Sequence, residues 1–241
     1  MLLSRGVAAR QPDWWRGGLL LLSGVRLLRF RRALMSVVAL ALYVLGLVVV
    51  FGVRTWVQIR RTGSSGFHGI SGSPGSLRWW AGVLFVLALV SGAGALVLAA
   101  TGVARAPFGS IPSSVAVGGL IVAVLGFLGV VAAQAGMGSS WRIGVDESER
   151  TDLVTDGLFR RVRNPIFTAM VTAQVGFTMA VPTWLSLAAL VCLVTAVELQ
   201  VRLIEEPYLL QAHGGTYREY AANTGRFLPG IGDLSSPAVA R

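Results

Sequence analysis

Two polar stretches interrupt an otherwise apolar chain, and both contain residue types suited to binding a charged ligand. The first, 153–167, includes Arg163 followed directly by Asn164 and Pro165. Asparagine is a good helix N-cap and proline suits the first helical turn, so a helix is predicted to begin here. Its amide groups and positive dipole end would suit an anionic group. An ordinary capped helix without a ligand is the alternative interpretation.

The second polar stretch follows the last apolar segment and contains ionisable residues at helical spacing. Glu198, Arg202 and Glu205 are spaced four and three apart and are predicted to share one helix face, with Glu206 next in the chain. Ionisable groups at the edge of an apolar segment usually face a polar interior or a cavity. A self-compensating ladder of charges at the membrane interface is the alternative.

Composition indicates a membrane protein. The 241 residues are 54% hydrophobic and 13% charged, with a mean hydropathy of +0.68, whereas soluble domains are about 25% charged. The net charge of +10 comes entirely from arginine, and most arginines flank apolar segments. That placement favours lipid headgroups and topology signals over nucleic acid. A single cysteine, Cys192, and two histidines exclude an internal disulfide and a Cys/His zinc site, and no metal is predicted.

The hydropathy pattern predicts an all-α fold, a polytopic membrane helix bundle with about five transmembrane helices, a C-terminal helical hairpin and short cytoplasmic tail helices. The predicted spans are 33–51, 79–100, 115–135, 165–181 and 183–204. A basic interfacial segment, 1–32, precedes a three-span scaffold, 33–135. Residues 136–229 form the predicted functional region with its hairpin at 165–204, and 230–241 are expected to be disordered. The glycine-rich stretch 54–76 is predicted to be a loop.

The pattern over 141–229 resembles the isoprenylcysteine carboxyl methyltransferase family of integral-membrane enzymes that use S-adenosylmethionine. Its first part fits at Leu153, Val154, Thr155, Gly157, Phe159, Arg163, Pro165 and Phe167. Its second part fits at Arg202, Glu205, Glu206, Gly214 or Gly215, Tyr217 and Tyr220. The chain departs from the family at Asn164, where histidine is usual, and at Phe159 and Phe167, where tyrosine is usual.

The resemblance implies a site for S-adenosylmethionine and a methyl acceptor. Its cofactor contacts map onto Thr151, Asp152, Leu153, Val154, Phe159, Asn164, Pro165, Ile166, Phe167 and Glu206. Arg202 aligns with the arginine that acts on the substrate. Glu205 is the candidate general base if the acceptor is an amine or a hydroxyl. Tyr217, Tyr220 and Arg226 are predicted to fold the tail over the cofactor, with simple amphipathic packing as the alternative.

The implied activity is methyl transfer to a small or lipophilic acceptor, either a carboxylate, a thiol or an amine, in contact with the lipid bilayer. The expected location is a bacterial-type plasma membrane. Because S-adenosylmethionine is cytosolic, the polar stretches should face the cytoplasm and the N-terminus should lie outside, although seven arginines in 1–32 oppose that orientation. Two alternatives remain: an NADPH-dependent membrane reductase of the sterol-reductase type, and a non-catalytic scaffold or transporter component.

Overall fold

A computed structural model of the protein describes residues 14–65, 69–70, 72–104, 107, 111–138 and 152–234, with side chains described from residue 30 onward. Within these residues the regular structure is helical, as predicted. The elements are α1 (Trp14–Leu47), a first π turn (Val48–Val53), α2 (Arg54–Thr62), α3 (Leu77–Ala100), α4 (Ser113–Met137), α5 (Pro165–Ala180), α6 (Trp184–Gln200), a second π turn (Val201–Glu205) and α7 (Glu206–Asn223).

Four helical segments are long and apolar enough to cross a membrane: Phe30–Thr62, Leu77–Ala100, Ser113–Met137 and Trp184–Asn223. A fifth apolar helix, Pro165–Ala180, is shorter. The predicted membrane helix bundle is therefore confirmed, and the protein is an integral membrane protein. The predicted spans at 79–100 and 115–135 agree with α3 and α4 to within two residues at each end.

The prediction of a loop from residue 54 is wrong, because the first membrane helix continues through the first π turn into α2. Arg54–Thr62 contains no glycine or proline, so nothing in its sequence breaks the helix. The helix ends where Gly63 adopts a left-handed conformation with φ of 76°. The Gly63 N–H then donates to the Ile59 carbonyl at 2.9 Å, as in a regular helix C-terminus.

Helix α5 lies against α4 at backbone contact distance, and small residues make this approach feasible. A Cβ atom added to Gly119 would lie 2.5 Å from the Ala180 nitrogen, and one added to Gly126 or Gly176 would also meet backbone atoms of the facing helix. In lipid, close packing of small residues replaces the hydrophobic drive between helices. Helix α5 also buries the polar side chains of Gln174 and Thr178, and the Thr178 hydroxyl donates to the Ser186 carbonyl of α6 at 3.3 Å.

The buried centre of the bundle joins α1, α3, α4 and α5. Tyr43 packs edge-on against Phe177 with ring centroids 5.1 Å apart. Its hydroxyl donates to the Leu89 carbonyl at 3.0 Å, so a polar group within the apolar bundle has a partner. After α5, a tight turn leads into α6, whose start is fixed by a capping box between Thr183 and Ser186.

Helix α7 bends at Gly214, where φ is 54° and ψ is −119°, as expected for two short tail helices separated by the glycine pair. The chain then folds back as a segment that we call the C-terminal strap, residues 224–234. The strap forms a bridge between Val162 and Gly225 and reaches the start of α5. Its residues 230–234 fall in the segment expected to be disordered, yet the Leu234 N–H donates to the Ala221 carbonyl at 3.0 Å.

Neighbouring glycines on α4 provide a direct test of the α4–α5 contact. A Cβ atom at Gly119 would collide with α5, whereas one at Gly118 would meet nothing within 4 Å. We expect Gly119→Ala to destabilise the protein by about 1–3 kcal/mol through overpacking. Gly118→Ala should be neutral or slightly stabilising, because alanine is the better helix former. Unfolding of the two variants in detergent measures the difference, and equal stabilities would contradict the close α4–α5 contact.

Candidate functional site

A cavity of about 410 Å³ lies where the two polar stretches meet the apolar bundle. Its volume falls within the roughly 300–1,000 Å³ typical of small-molecule sites. One side is apolar and comes mainly from the first π turn and α3, with Val50, Phe51, Ala81, Phe85, Val86 and Leu89. The other side contains the polar groups and comes from 152–170 and from the end of α6 and α7.

Most of the site residues that the sequence predicted line this cavity. Its wall includes Asp152, Leu153, Val154, Phe159, Asn164, Pro165, Ile166, Phe167, Glu205 and Glu206. Thr151 lies outside the described residues. Arg202 is described but does not line the cavity. Two stretches separated by a helical hairpin therefore contribute to one wall.

The start of α5 differs in detail from the predicted cap. The Asn164 side chain accepts no capping hydrogen bond; its Nδ2 instead donates to the Arg226 carbonyl at 3.1 Å. The Thr168 N–H closes the first helical turn on the Asn164 carbonyl. Within the described part of the chain, the N–H groups of Ile166 and Phe167 have no backbone acceptor. Both residues line the cavity, so the helix start retains donors for an anionic ligand group.

The Glu206 carboxylate is the centre of a buried ion cluster. Arg226 binds it in a bidentate manner, with Nε 2.8 Å from Oε1 and Nη2 2.9 Å from Oε2. Arg163 approaches from the other side and donates from Nη2 to Oε1 at 2.8 Å. The Glu206 and Arg163 side chains are 9% and 1% exposed. The pairing therefore compensates charges that would be costly to bury alone.

Arg163 also ties the end of α7 and the C-terminal strap to the start of α5. Its Nη1 donates to the Ala221 carbonyl at 2.8 Å and to the Thr224 carbonyl. Its Nη2 donates to the Gly232 carbonyl at 3.0 Å. Hydrogen bonding to Glu206 raises the pKa of the Arg226 guanidinium above its ordinary value. The Arg226 guanidinium therefore remains charged beside the Glu206 carboxylate.

The two tail tyrosines complete the polar side of the cavity. Tyr217 is 1% exposed and is among the most deeply buried large side chains described. The Tyr220 hydroxyl donates to the Phe159 carbonyl at 2.6 Å and so attaches α7 to the 152–164 segment. The two rings pack edge to face with centroids 6.2 Å apart. Both tyrosines line the cavity, which agrees with a tail folded over the site.

The second π turn separates residues that regular helical spacing placed on one face. The Glu206 N–H bonds to the Val201 carbonyl, five residues back, in place of the usual four. The inserted residue turns Glu205 and Glu206 toward the cavity. Arg202 points outward, with its side chain 55% exposed and its Nε 2.5 Å from Glu198 Oε2. Arg202 thus forms the surface ion pair in this structure, and the substrate-orienting role stays a prediction.

Several cavity residues had no signal in the sequence motifs. Gln134 comes from α4, Gln200 from the last turn of α6 and Tyr208 from α7. The Gln200 Nε2 lies 3.5 Å from Glu205 Oε1, so these two polar groups adjoin each other. A glutamine within an apolar helix is itself a signal, because an amide in the membrane requires partners. That signal would have identified Gln134.

Comparison with protein families supports the interpretation of this site. The family model described as phospholipid methyltransferase matches residues 114–216, from α4 to the bend in α7. This match covers less than half of the chain, and it agrees with the resemblance to integral-membrane methyltransferases that the sequence motifs indicate. The match indicates a membrane methyltransferase, a class that generally uses S-adenosylmethionine. Searches of curated proteins and of solved structures gave no match.

The ion cluster predicts a large difference between two arginine substitutions. Arg226→Met removes the bidentate partner of a buried carboxylate, whereas Arg202→Met breaks an exposed pair. Breaking a buried pair costs up to about 3–5 kcal/mol, and exposed pairs contribute about 0–1 kcal/mol. We expect Arg226→Met to lower the unfolding midpoint in detergent strongly, and Arg202→Met to leave it nearly unchanged.

Limited proteolysis gives an independent readout of the same pair of variants. If Arg226 holds the C-terminal strap, cleavage within 224–234 should accelerate in Arg226→Met and not in Arg202→Met. Similar cleavage rates in the two variants would show that the strap is held without the Glu206 cluster.

Proposed function

We propose that the protein is an S-adenosylmethionine-dependent methyltransferase of the isoprenylcysteine carboxyl methyltransferase-like type, acting on a small or lipophilic acceptor. The observation that supports this proposal best is the convergence of both motif stretches on one cavity. The residues present fit the cofactor: apolar and aromatic groups suit an adenine ring, and the start of α5 offers amide donors for a carboxylate. The bound cofactor would supply a methyl group on a sulfonium, transferable in line to a nucleophile.

In this proposal the 152–167 segment and Glu206 hold the cofactor. Leu153, Val154, Phe159 and Phe167 provide apolar surface, and the Ile166 and Phe167 amides provide donors. A carboxylate has about four acceptor positions, and the two arginines use three of them on Glu206. One position on Oε2 is left for an ammonium or hydroxyl group. Glu206 thus supports the wall and retains capacity for a ligand contact.

The acceptor is proposed to occupy the apolar side of the cavity, between the first π turn and α3. Val50, Phe51 and Phe85 present no charge there, so an acceptor with an alkyl or isoprenoid part would remain in apolar surroundings when it binds. Alignment of the reactants and exclusion of water are the main demands of such a transfer. Glu205 lines the same cavity and would serve as general base for an amine or hydroxyl acceptor.

We propose that the site faces the cytoplasm, where S-adenosylmethionine is found, in a bacterial-type plasma membrane. The reductase and scaffold alternatives make opposite predictions about ligands. A reductase would bind NADPH in this cavity, and a scaffold would bind neither nucleotide. Ligand binding is therefore the decisive experiment.

Two leucines in the same segment form a matched pair for this test. Leu153 lines the cavity, whereas Leu158 is 41% exposed and does not line it. Leu153→Trp should reduce the affinity for labelled S-adenosylmethionine at least about tenfold, equivalent to about 1.4 kcal/mol, because the larger ring fills cofactor space. Leu158→Trp should bind like the wild type. Equilibrium binding to detergent-purified protein measures both.

NADPH is the competitor in the same assay. Saturable S-adenosylmethionine binding that NADPH does not displace would support the methyltransferase. Failure of the folded wild-type protein to bind S-adenosylmethionine would disprove the cofactor assignment, and NADPH binding in its place would establish the reductase.

A further inference from the structure

Gln134 is a buried amide in the cavity wall for which neither polar motif accounts. It lies one turn before the end of α4, is 4% exposed and lines the cavity. A glutamine side chain has two donor hydrogens and one acceptor oxygen. Burying a polar group in apolar surroundings without a hydrogen bond costs free energy. The hydrogen-bond partners of this amide therefore indicate its role.

The donor side of the amide is explained by the first π turn. In an α-helix the Arg54 N–H would donate to the Val50 carbonyl; here it is directed to the carbonyls of Val49 and Phe51. Gln134 Nε2 donates to the Val50 carbonyl at 3.1 Å. Side chains of neighbouring helices commonly satisfy backbone groups that an irregular turn releases within a membrane. Gln134 therefore stabilises the first π turn, which forms part of the apolar side of the cavity.

This hydrogen bond also fixes which end of the amide faces the cavity. The two ends of a glutamine amide are distinguished by their partners. Because a carbonyl can only accept, the NH₂ group must point at Val50, and Oε1 must point elsewhere. No donor to Oε1 is found among the residues that the structure describes. A buried side chain of the wall thus presents an acceptor whose orientation a neighbouring helix has fixed.

We propose that Gln134 is a specificity-determining residue whose Oε1 accepts a hydrogen bond from an N–H or O–H group on the methyl acceptor. This inference rests on the proposed function. A carboxylate or thiolate head would bring a second acceptor against Oε1 and would be disfavoured. A site built to hydrogen-bond a substrate group rejects analogues that lack it. Gln134 thus favours an amine or hydroxyl head group.

Its position assigns Gln134 to the acceptor more readily than to the cofactor. It is bonded to Val50, which belongs to the apolar side of the cavity together with Phe51 and Phe85. The amino group of adenine has the same donor chemistry, so the experiment must separate the two sources. The affinity for S-adenosylmethionine provides that separation.

The test uses full-length protein in detergent and two pairs of radiolabelled sixteen-carbon probes. Hexadecylamine and hexadecanol carry donor hydrogens, and hexadecyltrimethylammonium and methyl hexadecyl ether are their counterparts without them. The wild type should bind each donor probe more tightly than its counterpart. Gln134→Met should weaken donor-probe binding about fivefold to tenfold, with counterpart binding and S-adenosylmethionine affinity unchanged. Gln134→His, which retains a donor and an acceptor, should preserve part of the preference.

Each other outcome overturns the inference in an identifiable way. Equal wild-type affinity within each pair, or no binding of either donor probe, excludes donor recognition even if Gln134→Met does not fold. A uniform loss for all probes in Gln134→Met indicates a purely structural role at the π turn. Loss of S-adenosylmethionine affinity alone assigns Oε1 to the cofactor. Failure of the wild type to bind S-adenosylmethionine disproves the proposed function itself.

Discussion

The buried carboxylate of Glu206 connects three parts of the chain: the start of α5, the start of α7 and the C-terminal strap. Its two arginine partners come from the start of α5 and from the C-terminal strap, and Glu206 itself begins α7. Removing Glu206 would leave both arginines uncompensated in surroundings that solvate ions poorly, and removing one arginine would leave carboxylate acceptor positions unfilled. The polar wall of the cavity is therefore held by mutual charge compensation, whereas the apolar wall is held by helix packing. The cavity lies at the boundary between these two kinds of stabilisation.

Both π turns occur next to this boundary. The first contributes Val50 and Phe51 to the cavity, and the second contributes Glu205 and directs Glu206. A regular α-helix keeps the same face toward its neighbours along its whole length. Without a local irregularity, residues on its other faces would not point into the cavity. One extra residue in a turn rotates the helix that follows, so that different side chains face the bundle. Such π turns are frequent at functional sites, and here they position wall residues on two helices.

The sequence predicted the helices well because each apolar run is long and Asn164-Pro165 marks the start of α5. It also predicted the part of the cavity wall that the two motif stretches form, since the motif residues are local in two short stretches. The continuation of α1 into α2 was not predicted, because the loop assigned from the glycine-rich run that begins at Gly63 was extended back to Arg54. The π turns have no sequence signature, so the separation of Glu205 from the face that carries Glu198 and Arg202 was not predicted. The pairing of Glu206 with Arg163 and Arg226 depends on tertiary folding and could not be obtained from spacing.

The shortness of α5 has a consequence for the depth of the site in the bilayer. Its 16 residues span about 24 Å at 1.5 Å per residue, against a hydrocarbon thickness of about 30 Å. A helix that is too short for its bilayer thins the membrane locally or leaves one end recessed. If the α5–α6 turn is placed at one interface, the start of α5 and the adjoining Arg163 would lie about 6 Å below the other. A lipid-anchored molecule would then reach the cavity by lateral diffusion alone, without its chain leaving the hydrocarbon.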